Sequence, residues 1–384
     1  MKYKKLGNTG LKVSEIGCGA EWFERHTKEE VKELVDYCVL KGINIMDCWV
    51  PNPETRSNTG EAIKDSRDYW IIQGHIGATW QNNQYVRSRN IKKVKEAFED
   101  LLFRFHTDYI DIGMIHFVDE VDDFNKIMNG DFIEYVHQLK YEGKIKHVGL
   151  STHNPIVAKM AAESGEVEMI LFSINPAFDL LPASEDILDL SNDTLLQNNN
   201  LNGVSKERMN LYKICEDKNI SINVMKGFAG GRLFSNKDSP LGVKFTPVQC
   251  IHYALTRPSV CSIMVGYDTT DHIDDAVYYE NATDSEKDFS QTLSNIKYNN
   301  YIGQCTYCGH CAPCKVGIDI AMVNKFYDLI VTEDNVSDSL CAHHNELSKN
   351  AYDCIECGDC EKACPFGVEI ISKMRKAKKV FKNK

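Results

Sequence analysis

No apolar run in this chain of 384 residues reaches the ~20 residues needed to cross a bilayer. The opening segment, residues 1–7, carries lysines with no apolar core behind them, so no secretory leader is expected. An excess of positive charge is also missing: 44 Lys and Arg stand against 55 Asp and Glu, a formal net charge of −11. Binding to nucleic acid by phosphate neutralisation is therefore not expected, and neither is attachment to a membrane. No Gly-x-Gly-x-x-Gly follows any apolar run, which speaks against an open dinucleotide-binding sheet. With neither span nor leader, the expected compartment is a reducing cytoplasm, where 15 cysteines do not make a disulfide framework.

Short apolar runs alternate with amphipathic stretches from about residue 13 to 280. Runs at 16–19, 43–47, 70–75, 109–116, 147–151, 169–173, 221–225 and 262–266 read as strands separated by helices, the mark of βαβ units and a parallel sheet. Thr27 with Glu30 forms a capping box before the first helix. Ile91, Val94, Phe98, Leu101 and Phe105 make a helical stripe, and Gly143 is a C-cap. Asn154-Pro155 and Thr246-Pro247 each open a helix with an N-cap and Pro behind it. Eight such units predict a (β/α)8 TIM barrel over residues 1–280. Residues 180–204, including Gln197-Asn198-Asn199-Asn200, read as a long loop after strand six, either a substrate lid or a surface insertion. A polar linker helix is expected within 281–300, at 284–298, followed by a small, mainly helical domain over 301–384.

That last region holds nine of the cysteines. Cys305, Cys308, Cys311 and Cys314 stand at unbroken three-residue steps; Cys354, Cys357, Cys360 and Cys364-Pro365 repeat the bacterial ferredoxin run. Thiolates suit iron–sulfur clusters. Three closely spaced cysteines wrap one corner of a cubane and the fourth ligates the other cluster. The spacing thus assigns Cys305, Cys308, Cys311 and Cys364 to one [4Fe-4S] cluster, and Cys354, Cys357, Cys360 and Cys314 to a second. Four-cysteine zinc sites are the rival, though they usually place two pairs across a long loop. Such clusters pass single electrons near ~−400 mV, which suits an anaerobic cell and a ferredoxin-type electron carrier; a structural role is the alternative. The other cysteines read as small buried hydrophobes, with Cys48 singled out at a strand end.

Four segments carry a family resemblance: Leu6-Gly7-Asn8-Thr9-Gly10 onward, Gly42-Ile43-Asn44-Ile45-Met46-Asp47, Thr107-Asp108-Tyr109-Ile110-Asp111 with His116, and Gly143-Lys144-Ile145-Lys146-His147-Val148-Gly149-Leu150-Ser151. In this order they resemble the aldo/keto reductases over residues 1 to about 280, and with the tail, the branch bearing a C-terminal ferredoxin-like domain. The resemblance implies carbonyl reduction by an Asp, Tyr, Lys, His tetrad with a nicotinamide across the barrel mouth. Asp47 matches the Asp and His116 the His. The Tyr position is Asn52 and the Lys position His75, with Gly60 and Ala62-Ile63 holding the alignment ungapped. Ser151 matches a carboxamide ligand, while Thr152 and Leu171 replace an Asn and a Gln. Gly266-Tyr267-Asp268-Thr269-Thr270-Asp271 replaces a basic stretch, and its carboxylates repel a 2′-phosphate. NADP is thus not expected, and NAD(H) is the compatible form.

Asp47, His75 and His116 stand at strand ends where barrel active sites lie, with His153 and Lys226 at two more. The expectation is that His75 or His116 supplies the proton the missing Tyr would have given, that Asp47 orients one of them, and that Lys226 holds an anionic substrate group. Trp49 and Trp80 are candidate pocket walls. A metal held by Asp47, His75 and His116 is a second reading of the same residues. The leading expectation is an iron–sulfur oxidoreductase acting on a small polar carbonyl or alcohol. The alternative is a non-redox lyase or dehydratase with structural clusters.

Overall fold

A computed structural model describes residues 1–196, 201–296, 301–331 and 337–381. An antiparallel hairpin of β1 (Tyr3–Lys5) and β2 (Lys12–Ser14) comes first, then the strands β3 (Ile16–Gly19), β4 (Ile45–Cys48) and β5 (Ile71–Ile76). A second hairpin pairs β6 (Ala78–Gln81) with β7 (Gln84–Arg87). The remaining strands are β8 (Ile110–Ile115), β9 (Ile145–Thr152), β10 (Met169–Ser173), β11 (Ser221–Met225) and β12 (Val260–Gly266). Apart from the hairpins, the strands close into a parallel barrel ordered β10-β11-β12-β3-β4-β5-β8-β9, the expected (β/α)8 architecture.

Side chains alternate across a strand, and here the inward positions sort by height. Ile45, Ile112, Met114, Met169, Leu171 and Met264 form an apolar plug, sealed at the N-terminal end by Leu6 and Val13. Two residues further along the strands the inward positions turn polar: Asp47, Gln73, His75, His116, Ser151, Ser173 and Asn223 are all buried there. A polar layer resting on a dry plug sits in low dielectric, which strengthens each hydrogen bond it makes.

The helix signals fold as expected. Thr27 and Glu30 complete their capping box, Asn154 and Thr246 cap helices Pro155–Ser164 and Pro247–Thr256, and helix Ile91–Arg104 buries Val94, Phe98, Leu101 and Leu102. Gly60 lies where helix Pro53–Ile63 crosses the end of helix Ile91–Arg104, and a Cβ there would overlap the Arg104 carbonyl. Gly60→Ala is expected to lower the unfolding midpoint by about 1–3 kcal/mol of overpacking strain; an unchanged denaturant midpoint would refute the close crossing.

Beyond β12 the expected linker helix is two short ones, Asp284–Lys287 and Ser290–Ser294. The cause is packing: Phe289 and Leu293 are fully buried, and Gln249 donates to the Asp288 carbonyl across 2.8 Å. The break holds this segment on the barrel wall. The loop after β10 also has local structure, with short helical turns at Phe178–Leu180 and Ile187–Ser191 and helix Asp193–Leu196; its Gln197-Asn198-Asn199-Asn200 stretch lies outside the described residues. The cysteine-rich region is mainly helical, and helices Ile320–Ile330 and Asp338–Asn345 pack on helix Lys206–Lys218. Among the described residues no helix is long and apolar enough to cross a membrane.

Candidate active site and cysteine cavities

Asp47, His75 and His116 meet at the top of the polar layer, as their strand-end positions require. His75 Nε2 lies 3.0 Å from Asp47 Oδ1, and His75 Nδ1 lies 2.7 Å from His116 Nδ1. Gln73 Nε2 donates to the same Asp47 oxygen (2.7 Å), and Asn223 Nδ2 donates to Gln73 Oε1 (2.6 Å). The line continues outward: His116 Nε2 lies 2.8 Å from Tyr85 Oη. Trp49 stacks on the His116 ring at 5.8 Å and meets Tyr85 edge-on at 5.2 Å, so it packs against the outer end of this line.

These groups run in a line and do not surround a point. Among the described residues no three His, Cys, Asp or Glu side chains form a group that could hold a single metal ion. The metal reading of Asp47, His75 and His116 is therefore corrected: each histidine nitrogen is turned to a hydrogen-bond partner in the chain.

Electrostatics keep the line uncharged toward its outer end. Burial, then the neighbouring His75 and the Arg89 and Arg87 guanidinium groups, hold the His116 imidazole well below its ordinary pKa. Burial raises the Tyr85 phenol above its ordinary value, with Arg87 and Arg89 pulling the other way. At neutral pH His116 is neutral and Tyr85 keeps its proton.

Asn52, at the tyrosine position, does other work. Its Oδ1 accepts from the Glu54 and Thr55 amides to cap helix Pro53–Ile63, and its Nδ2 donates to Glu24 Oε1 at 3.0 Å. Cys48 is buried, and burial followed by the Asp47 charge pushes its thiol up, so it is not a reactive thiolate. Lys226 follows β11 in a left-handed conformation (φ 57°), exposed beside His153. His153 belongs to a second dyad, its Nδ1 3.0 Å from Asp119 Oδ2 and its buried Nε2 without a partner.

On the cofactor side, Ser151 Oγ accepts from the Phe117 amide (2.8 Å), and its own proton has no acceptor among the described residues. Thr152 instead donates to Asp119 (2.9 Å), and Leu171 is part of the apolar plug. Ser173, one inward position above Leu171, has a buried hydroxyl without a partner. The free proton of Ser151 and the unpaired hydroxyl of Ser173, both over the plug, are polar groups of the kind a nicotinamide carboxamide would need. Gly266 ends β12 under Trp22, whose ring sits 3.5 Å from where a Cβ would lie. Asp268 beyond it bonds His26 at 3.3 Å.

The tail contains two small cavities. One is lined by Cys305, Cys308, Cys311 and Cys364. The other is lined by Cys314, Cys354, Cys357 and Cys360 and also by Cys311, which therefore borders both. Val316, Ile318, Ile320, Ile371 and Met374 give the second one apolar walls, and Asn324 Nδ2 approaches Cys305 Sγ at 3.5 Å in the first. Cys341 lines neither. The scattered barrel cysteines, Cys18, Cys38, Cys48, Cys215, Cys250 and Cys261, are buried, as expected.

Sequence reasoning missed Tyr85, Gln73 and Asn223. A signal for Tyr85 was present: Asn82-Asn83, both at positive φ (52° and 59°), form a two-residue hairpin turn between alternating strands.

Known proteins resemble this chain mainly through the barrel. A model described as the aldo/keto reductase family matches residues 15–248. An uncharacterized oxidoreductase, YqkF, from Bacillus subtilis is 22% identical over 333 residues, spanning 78% of this chain and 98% of its own. Aldo-keto reductase YhdN from the same organism is 29% identical over 161 residues, 39% of this chain and 47% of its own. The holo form of aldo-keto reductase AKR11C1 from Bacillus halodurans shares the fold at a TM-score of 0.59, with 21% identity over 78% of this chain and 98% of that one.

Proposed function

Because the chain belongs to the aldo/keto reductase family, a family of oxidoreductases, we propose that it is a cytoplasmic iron–sulfur enzyme of anaerobic metabolism. It interconverts a small polar carbonyl compound and its alcohol in the barrel mouth and exchanges electrons with a ferredoxin-type carrier. The observation that supports the iron–sulfur part is that Cys364 lines one cavity with Cys305 and Cys308 while Cys314 lines the other with Cys354, Cys357 and Cys360, a crossed pattern like that of dicluster ligation, with Cys311 bordering both. Cys305, Cys308, Cys311 and Cys364 would hold one cluster, and Cys314, Cys354, Cys357 and Cys360 the other. Thiolates lining open cavities suit a cubane with sulfur ligands at its corners, whereas zinc needs four ligands about 2.3 Å from one point. When bound, the clusters supply one-electron storage. NAD(H), its carboxamide held by Ser151 and Ser173, would supply two-electron chemistry.

Within the barrel the chain's own residues govern the proton. Gln73, fixed by Asn223, holds Asp47 beneath His75, and the imidazoles relay between that carboxylate and the mouth. Lys226 and the partnerless Nε2 of His153 present polar groups to the substrate. The displacement of Thr152 and Leu171 from carboxamide recognition favours, as a second reading, a lyase or dehydratase that uses the same dyads without redox change.

Anoxically purified protein decides between them. The expected result is iron and acid-labile sulfide with a broad visible absorbance that is bleached by dithionite and by NADH. Bleaching by dithionite alone, with no NADH binding by calorimetry, would favour the lyase reading; zinc in place of iron would end the iron–sulfur reading.

A further inference from the structure

Resting on that oxidoreductase reading, we propose that Tyr85, carried on the β6/β7 hairpin, is the terminal proton carrier of the barrel site. It is wired through His116 and His75 to Asp47. Neither histidine is free to meet a substrate. Both nitrogens of His75 are engaged, one by Asp47 and one by His116, and both nitrogens of His116 are engaged, one by His75 and one by Tyr85. Asp47, His75 and His116 are all buried, while Tyr85 is half-buried at the rim. The line therefore has one end that substrate can reach, and it is a phenol.

The donor directions follow from one fixed point. The Asp47 carboxylate only accepts, so His75 Nε2 carries a proton. A neutral His75 then accepts at Nδ1, which requires the proton on His116 Nδ1, and a neutral His116 accepts at Nε2 from the Tyr85 hydroxyl. Every proton points from the mouth toward Asp47. The hairpin is clamped to hold this end. Thr79 Oγ1 donates to the Val86 carbonyl (2.7 Å), Arg87 Nη1 donates to the Phe117 carbonyl (3.2 Å), and Arg89 Nη2 donates to the His116 carbonyl (2.9 Å).

In alcohol oxidation the C–H bond breaks and its electron pair leaves as hydride to an oxidised nicotinamide. The substrate O–H proton passes to Tyr85 Oη. The proton of Tyr85 moves to His116 Nε2, and that of His116 Nδ1 moves to His75 Nδ1. The line ends with a His75 imidazolium against the Asp47 carboxylate, an ion pair formed where no solvent need reorganise. Carbonyl reduction runs each transfer backward, and Tyr85 hands its proton to the new alkoxide. The hairpin thus returns a tyrosine to a site whose strand-four position has become Asn52.

The test uses the cluster-loaded, ¹⁵N-histidine-labelled full chain, with 4-nitrobenzaldehyde and NADH as the probe reaction. Nitrogen shifts are expected to place the neutral protons on His116 Nδ1 and His75 Nε2, and Tyr85→Phe to move the His116 Nε2 resonance. The same variant should lower kcat by about 10²- to 10⁴-fold, the contribution of a general acid–base group, with KM and iron content near wild type. A proton on His116 Nε2 in the wild type, or a Tyr85→Phe kcat within twofold of it, would overturn the wire. The expected tautomers in a wild type that neither binds NADH nor turns over the aldehyde would uphold the wire and sink the redox reading.

Discussion

Cys364→Ser is expected to empty the same cluster as Cys305→Ser, and to spare the one that Cys354→Ser destroys. In sequence Cys364 belongs with Cys354, Cys357 and Cys360, at the end of their run. In space it lines the cavity of Cys305, Cys308 and Cys311, while Cys314, the end of the first run, lines the other. A cubane needs ligands at four corners, and a three-residue step cannot turn the chain far enough for a fourth consecutive thiolate to reach the same cube. Iron should fall from about eight to about four per chain in each single variant, since each [4Fe-4S] unit is held by one quartet. Cys305→Ser and Cys364→Ser should leave one reduced-state paramagnetic spectrum, and Cys314→Ser and Cys354→Ser another. If the Cys364→Ser spectrum matched that of Cys354→Ser, each run would ligate its own cluster and the crossed assignment would fail.

The nearness of Cys364 to the first run was an expectation from spacing alone, and the cavity lined by Cys305, Cys308 and Cys364 agrees with it. The barrel was legible for a related reason. A strand buried on both faces must be a short apolar run, so β3, β10 and β11 fall on residues 16–19, 169–173 and 221–225, where the runs lie. The two hairpins escaped notice because their strands are only three or four residues long and mostly polar. β7 is Gln84-Tyr85-Val86-Arg87, with no fully buried residue, and its one functional side chain earns its meaning from His116, which is 31 positions away. Asn52 shows a role that alignment alone does not reveal: an Asn ahead of Pro53 and Glu54 is an N-cap, and its side chain bonds the first backbone amides of the helix. The linker region read as one polar helix because Phe289, Leu293 and Ile296 fall at helical spacing in a mostly polar stretch, and nothing in that spacing says which surface receives them.

Asp179→Ala should be the most destabilising single change in the barrel wall. The carboxylate follows β10, is fully buried, and takes three donors: Arg208 Nη1 at 3.3 Å and Tyr212 Oη at 2.7 Å on one oxygen, and Tyr253 Oη at 2.7 Å on the other. Removing it strands the Arg208 guanidinium, which is 1% exposed, beside two phenols with no acceptor. Breaking a buried pair from one side costs about 3–5 kcal/mol, because the surviving charge stays desolvated. The same network touches the cysteine region. Tyr301 donates to the Pro176 carbonyl at 2.8 Å. Arg257, stacked on Tyr253 at 4.4 Å and Tyr307 at 4.9 Å, donates to the carbonyl of Thr306, the residue after Cys305. Loss of Asp179 should therefore loosen the first cysteine loop as well as the barrel, and the variant should lose iron faster under a chelator at temperatures where the barrel still holds. The control is Asp179→Leu combined with Arg208→Met, which removes both charges and should recover much of the loss. A single variant with a denaturant midpoint close to wild type would mean that water reaches Arg208 after all. A double variant no better than the single would locate the cost in the tyrosines, whose hydroxyls would then be the groups that fix the loop after β10 against the tail.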